Sequence, residues 1–251
     1  TISNTGDISL AGSSGDGYYL GGSYPNYIRF TGDFTATGIK AESTYGSISI
    51  DNSGDISIVD LNPNGGIGGG IASGDWLFGI TAETLLGDSI VSNSGDINIT
   101  GGEQVYGIIA STDSITLYYD CPPPYDNGSY VCYNRYGGGE AKVVNSGDIN
   151  ISTGDSQEYF YGFAAGIAAR TGKYGGDATV INTGDITIIN NAVTGQPSAT
   201  GIVAGSSGKY AVGSSLIQNS GDIIVFAQYS ATGIGAYSTN DSSIYNSGDV
   251  T

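Results

Sequence analysis

Residues 91–99 read Val91-Ser92-Asn93-Ser94-Gly95-Asp96-Ile97-Asn98-Ile99. The central string, Asn-Ser/Thr-Gly-Asp-Ile/Val, occurs seven times, starting at Asn4, Asn52, Asn93, Asn145, Asn182, Asn219 and Asn246. Two residues before each Asn stands an aliphatic: Ile2, Ile50, Val91, Val143, Val180, Ile217 and Ile244. Four residues after it stands another: Ile8, Ile56, Ile97, Ile149, Ile186, Ile223 and Val250. Leu10, Ile58, Ile99, Ile151, Ile188 and Val225 follow two positions further on. Steps of two are the strand period, so two short strands flank a Gly turn and each keeps one face inward. A motif recurring along the whole chain marks a repeat architecture.

A second string, Gly-Ile-x-Ala, alternates with the first at Gly38, Gly79, Gly107, Gly166, Gly201 and Gly233. Its Ile and Ala are also two apart and both suit a core. One rung therefore reads as three strands, and the shortest, Asn219 to Asn246, is 27 residues long. The expected fold is all-β: a parallel β-helix (β-solenoid) of about six to eight rungs, with strands stacked at ~4.8 Å, its right-handed sense expected from general strand twist and from the resemblance given below. A degenerate further copy is readable at Phe30-Thr31-Gly32-Asp33-Phe34.

Each motif residue has an expected task. Gly6 and its equivalents are expected to supply a positive φ. The seven Asn share parity with the inward aliphatics, which predicts an internal ladder, each amide bonding its own turn and the next rung. Stacked Asp side chains repel. They are expected to face solvent and bond their own turn amides, with binding of a cation such as Ca2+ as the alternative reading; no other cofactor is indicated.

Composition excludes several function classes. The chain carries 24 acidic against 7 basic side chains, a net charge of −17. Nucleic-acid binding needs a basic stripe, and an anionic bilayer surface repels such a chain. No apolar stretch reaches the ~20 residues of a membrane span, so no membrane insertion is expected. There is no His, which removes the commonest general base and transition-metal ligand.

The 251 residues read as one solenoid domain whose variation lies in insertions. The longest, 111–142, holds Cys121 and Cys132, the two cysteines of the chain, expected to form a loop disulfide and so to place the protein outside a reducing cytosol. It also holds Tyr118, Tyr119, Tyr125, Tyr130, Tyr133 and Tyr136, large rigid contacts that serve equally to pack the loop or to form an interface. Sequons occur at Asn98, Asn127, Asn150 and Asn240; Asn127 is the most loop-like, and Asn98 and Asn150 are expected to point outward.

The alternating strings resemble passenger domains of bacterial autotransporter adhesins and filamentous-haemagglutinin-type β-helical surface proteins. The resemblance implies a right-handed coil, an extracellular or cell-surface location and an adhesive or structural role. The function expected is that of a non-enzymatic surface protein. Both ends lie in nearly the same repeat phase, so the coil is expected to continue in a longer chain or to self-associate end to end into fibres. Host or environmental glycans are the other expected partners. The alternative is a carbohydrate-active β-helix enzyme, a polysaccharide lyase or glycoside hydrolase, which requires a groove with two facing non-motif carboxylates. Asp75, Glu83, Asp88, Asp113, Asp120, Asp155 and Glu158 are the acids near insertions, and nothing in the sequence singles out two of them.

Overall fold

The computed structural model describes residues 1–12, 35–44, 46–60, 76–112, 116–118, 134–136, 139–153, 162–172, 175–191, 196–206 and 213–251. The first rung comprises β1 (Ile2–Asn4), β2 (Ile8–Gly12) and β3 (Thr35–Ser43). The second and third are β4 (Ile48–Asn52), β5 (Ile56–Asp60), β6 (Trp76–Thr84) and β7 (Ser89–Asn93), β8 (Ile97–Thr100), β9 (Gln104–Thr112). A short excursion, β10 (Thr116–Tyr118) and β11 (Asn134–Tyr136), precedes the fourth rung, β12 (Ala141–Asn145), β13 (Ile149–Ser152) and β14 (Phe163–Thr171). The fifth is β15 (Ala178–Asn182), β16 (Ile186–Asn190), β17 (Ser198–Ser206) and the sixth β18 (Ser215–Asn219), β19 (Ile223–Ala227), β20 (Ser230–Tyr237). β21 (Ser242–Asn246) opens a seventh rung, which Val250 continues through a parallel bridge to Ile223.

Corresponding strands stack into three parallel sheets, one of seven strands and two of six. The fold is a right-handed parallel β-helix. Registers align the motif residues: Ile50 with Val91, Asn52 with Asn93, Ile56 with Ile97, Ile80 with Ile108. The aliphatic columns read from the sequence form one continuous core, with Ile56, Ile97, Ile149, Ile186 and Ile223 fully buried. β1 pairs directly with β4, Asn4 on Asn52, so no rung intervenes where the degenerate Phe30–Phe34 copy suggested one; those residues lie outside the described ones.

The Asn ladder is present as expected. Asn93 Nδ2 donates to its own turn carbonyl, Gly95 O, at 2.7 Å and to Asn145 Oδ1 at 2.8 Å. Asn145 repeats this toward Gly147 O and Asn182 Oδ1, and the chain of amides runs unbroken from Asn4 to Asn246. Asn52, Asn93, Asn145, Asn182 and Asn219 are buried, where an unpaired amide is costly, so each rung fixes the register of the next.

The turn glycines correct the sequence reading. Among the described residues only Gly87, Gly101 and Gly102 have positive φ, and none is a motif glycine. The motif instead needs Gly because adjacent turns approach too closely for a Cβ. One added to Gly95 would collide with the carbonyl of Gly54, and one on Gly147 with that of Gly95. At Gly6, beside the edge strand β1, an added Cβ would meet nothing within 4 Å among the described residues.

The Asp column corrects it in a smaller way. Asp7, Asp55, Asp96, Asp148, Asp185 and Asp222 face solvent, but each Oδ1 accepts the backbone N–H of the next rung's Asp rather than one from its own turn. The Asp96 to Asp148 bond is 2.9 Å. The Asp residues are thus rung-to-rung connectors that keep their charge in water.

Candidate functional site

The motif residues are spent on the scaffold, so chemistry has to come from side chains outside the repeat. They gather on the outer face of the third sheet, built by β3, β6, β9, β14, β17 and β20. Its shape follows from the Gly-Ile-x-Ala string. Pairing runs through Phe78 with Tyr106 and Ile80 with Ile108, while the glycine between them is skipped. Gly107 and Ile108 both point inward, which breaks the period of two and bends each strand. A Cβ on Gly107 would meet Gly166 O at 2.6 Å and Ile149 Cγ2 at 2.8 Å, so the bend requires glycine.

The bend folds the outer surface in on itself. Ile109, Ala168 and Val203 point outward, yet they are buried in a small second cluster on which Phe78 and Tyr106 pack. Phe78 and Tyr106 come from adjacent rungs and stack with centroids 5.6 Å apart and planes 6° from parallel. Trp76 extends the stack at 6.0 Å from Phe78, and Phe163 at 5.3 Å from Tyr106. Four aromatic rings thus form a band crossing three rungs.

Beside the band runs a polar column of register partners, Glu42, Glu83, Ser111 and Arg170. The Arg170 guanidinium lies 5.8 Å from the centroid of Tyr106. Its Nε is buried without a hydrogen-bond partner. Lys40 Nζ contacts Glu42 Oε1 at 2.7 Å, an exposed pair. That hydrogen bond raises the Lys40 pKa above its ordinary value; slight desolvation opposes the rise, and the charges of Glu42 and Glu83 add to it. A cleft of about 460 Å³ opens here, lined by Glu42, Ser43, Thr44, Glu83, Thr84, Leu85 and Ser111. Thr81, outward-facing on the same limb, is 4% exposed and its Oγ1 has no partner.

The sequence-derived candidates distribute unevenly. Glu83 is in the cleft, but its neighbour Glu42 was not among the acids near insertions. Asp88 Oδ1 accepts the Glu140 N–H at 3.0 Å, a connector like the motif Asp. Asp75, Asp113, Asp120, Asp155 and Glu158 lie outside the described residues, as do Cys121, Cys132, Asn127, Tyr119, Tyr125, Tyr130 and Tyr133. Tyr118 and Tyr136 fall on β10 and β11, an antiparallel pair that sequence reading did not foresee. Asn98 and Asn150 point outward as expected, joined by a hydrogen bond of 3.1 Å. Among the described residues no group of three or more His, Cys, Asp or Glu is placed to hold a metal ion.

The aromatic band left one signal in the sequence. Phe78 and Tyr106 each immediately precede the glycine of their repeat, at the same offset in consecutive rungs. Comparison with protein-family models, with curated proteins and with solved structures found no match.

Proposed function

We propose that this protein is a non-enzymatic, exported structural or adhesive β-solenoid, of the kind found in autotransporter-passenger and filamentous-haemagglutinin-like surface proteins. The observation that carries this reading is a division of labour. All seven motif copies serve rung stacking, while aromatic and planar polar side chains outside the motif collect on one face of a rigid coil. A platform of that kind presents a contact surface without moving parts. Adsorption of the purified protein to cell-surface and environmental polysaccharides tests it directly. Retention on at least one such surface is expected, with no depolymerisation of any; release of reducing or unsaturated ends would overturn the non-enzymatic part.

End-to-end assembly is the structural form of the same reading. The ladder is directional and repeats from rung to rung, Asn93 Nδ2 donating to Asn145 Oδ1 and Asn145 Nδ2 to Asn182 Oδ1, a pattern that a second copy of the coil can continue by strand addition. Electron microscopy of the native particle is expected to show fibres or an elongated coil; compact globules would count against it.

A carbohydrate-active enzyme is the second reading, and Glu42 with Glu83 favours it. They are register partners on adjacent strands whose backbones lie ~4.8 Å apart, which puts two carboxylates on neighbouring rungs as a retaining pair requires. Against it, both side chains are exposed, whereas an acid catalyst is usually a carboxyl kept protonated by burial.

A further inference from the structure

We propose that the outer face of the third sheet is a binding track for a neutral glycan chain lying along the solenoid axis, with Glu83 and Arg170 as its hydrogen-bonding groups and Tyr106 as its apolar contact. The proposal rests on the adhesive reading above and names its ligand class and its residues. Carboxylate and guanidinium are planar groups with paired hydrogen-bonding positions, and neighbouring ring hydroxyls present a matching pair. In the column Glu42, Glu83, Ser111, Arg170 a hydrogen-bonding side chain recurs at rung spacing, ~4.8 Å, close to the length of one pyranose ring, with the serine hydroxyl between the planar groups of Glu83 and Arg170.

These groups are held without being used. Arg170 stacks on Tyr106, its Nε lacks a partner, and no ion pair engages it or Glu83 among the described residues. Thr81 Oγ1, buried on the same limb, is a second polar atom without a hydrogen-bond partner. Phe78 and Tyr106 supply the apolar wall that the C–H face of a sugar ring packs against, and the adjoining cleft of about 460 Å³ is large enough for a small ligand.

Charge selects the class of glycan. The chain as a whole carries −17. Among the described residues of this sheet's six strands, Lys40 and Arg170 balance Glu42 and Glu83, so their charges sum to zero. A polyanion would gain one unpaired Arg170 and meet repulsion from the rest of the molecule; a neutral chain meets neither.

The test is calorimetric titration of the intact protein with cello-, manno- and xylo-hexaose and with a uronate hexamer, at low and high salt. The expected result is saturable binding of at least one neutral hexamer, insensitive to salt. Arg170→Gln and Glu83→Gln should each weaken it roughly ten-fold or more, as for loss of a charge-assisted hydrogen bond. Tyr106→Leu should weaken it too. Lys142→Gln, on the outer side of the first sheet, should leave it unchanged, and thermal melts of all four variants establish folding. Neutral binding unaffected by the Arg170 and Glu83 changes would overturn the site. Preference for the uronate would overturn the class. Adhesion to a natural surface with no hexamer bound would overturn this proposal and spare the adhesive reading; loss of both would overturn both.

Discussion

Replacing Asn145 by Ala in the middle of the ladder orphans three buried groups at once. Gly147 O loses its donor at 2.7 Å, Asn182 Oδ1 loses one at 2.8 Å, and Asn93 Nδ2 loses an acceptor at 2.8 Å. Each buried, unsatisfied group costs about 1–3 kcal/mol. Water entering the vacated space can serve some of them, so we expect Asn145→Ala to destabilise by about 3–6 kcal/mol. Asn4→Ala is the internal comparison. Asn4 is only partly buried, its Oδ1 accepts nothing among the described residues, and Gly6 is exposed, so a loss of about 1–2 kcal/mol is expected there. Urea denaturation followed by circular dichroism measures both. Because neighbouring rungs couple, hydrogen exchange at Ser146 and Thr183 localises the effect; their amides donate to the carbonyls of Asn93 and Asn145. Equal losses at the two positions, or a loss under about 1 kcal/mol at Asn145, would refute the view that buried amide pairing sets rung register.

Gly147→Ala should cost more than about 2 kcal/mol because its Cβ meets the Gly95 carbonyl, whereas Gly6→Ala, which meets nothing, should stay within about 0.5 kcal/mol; thermal denaturation separates this from a positive-φ requirement, which would penalise both alike. Asp96→Asn keeps an oxygen for the Asp148 N–H and removes one charge from a column whose neighbours interact by about 1 kcal/mol per pair in water. It should therefore raise the melting temperature at low salt, with the gain shrinking as salt screens the column; no gain at low salt would show that the column is not strained. Lys40, its pKa raised by Glu42, contributes below the ordinary lysine pKa of ~10.4 and loses that contribution as pH rises through the higher folded value. Both partners are largely exposed, so Lys40→Met should leave the melting temperature at neutral pH essentially unchanged.

The coil itself was legible because parity is a one-dimensional signal. The interval from Val91 to Asn93 places both on one side of a strand, and that alone anticipates the buried amide ladder. The task of Gly95 was misread because a turn glycine looks the same whether it serves φ or clearance; clearance depends on a neighbour, Gly54, that lies 41 residues away. The aromatic band was missed for a related reason. Sequence period predicts which way Tyr106 points, but not that the strand bends at Gly107 and brings Tyr106 against Ile109 and Val203. Arg170 gave no signal, since its meaning comes from Tyr106 one rung below and from the lack of an acidic partner among the described residues.

The ladder also governs how this architecture can diversify. Consecutive Asn partners are separated by 48, 41, 52, 37, 37 and 27 residues, yet every contact has nearly the same length. Closing a loop costs entropy only logarithmically, about 0.6 kcal/mol per doubling, so the longest rung is penalised little more than half a kilocalorie relative to the shortest. Two or three bonds from one buried amide exceed that margin. Each turn thus acts as a clamp that decouples circumference from axial order, and new sequence can enter between clamps without disturbing the rungs on either side.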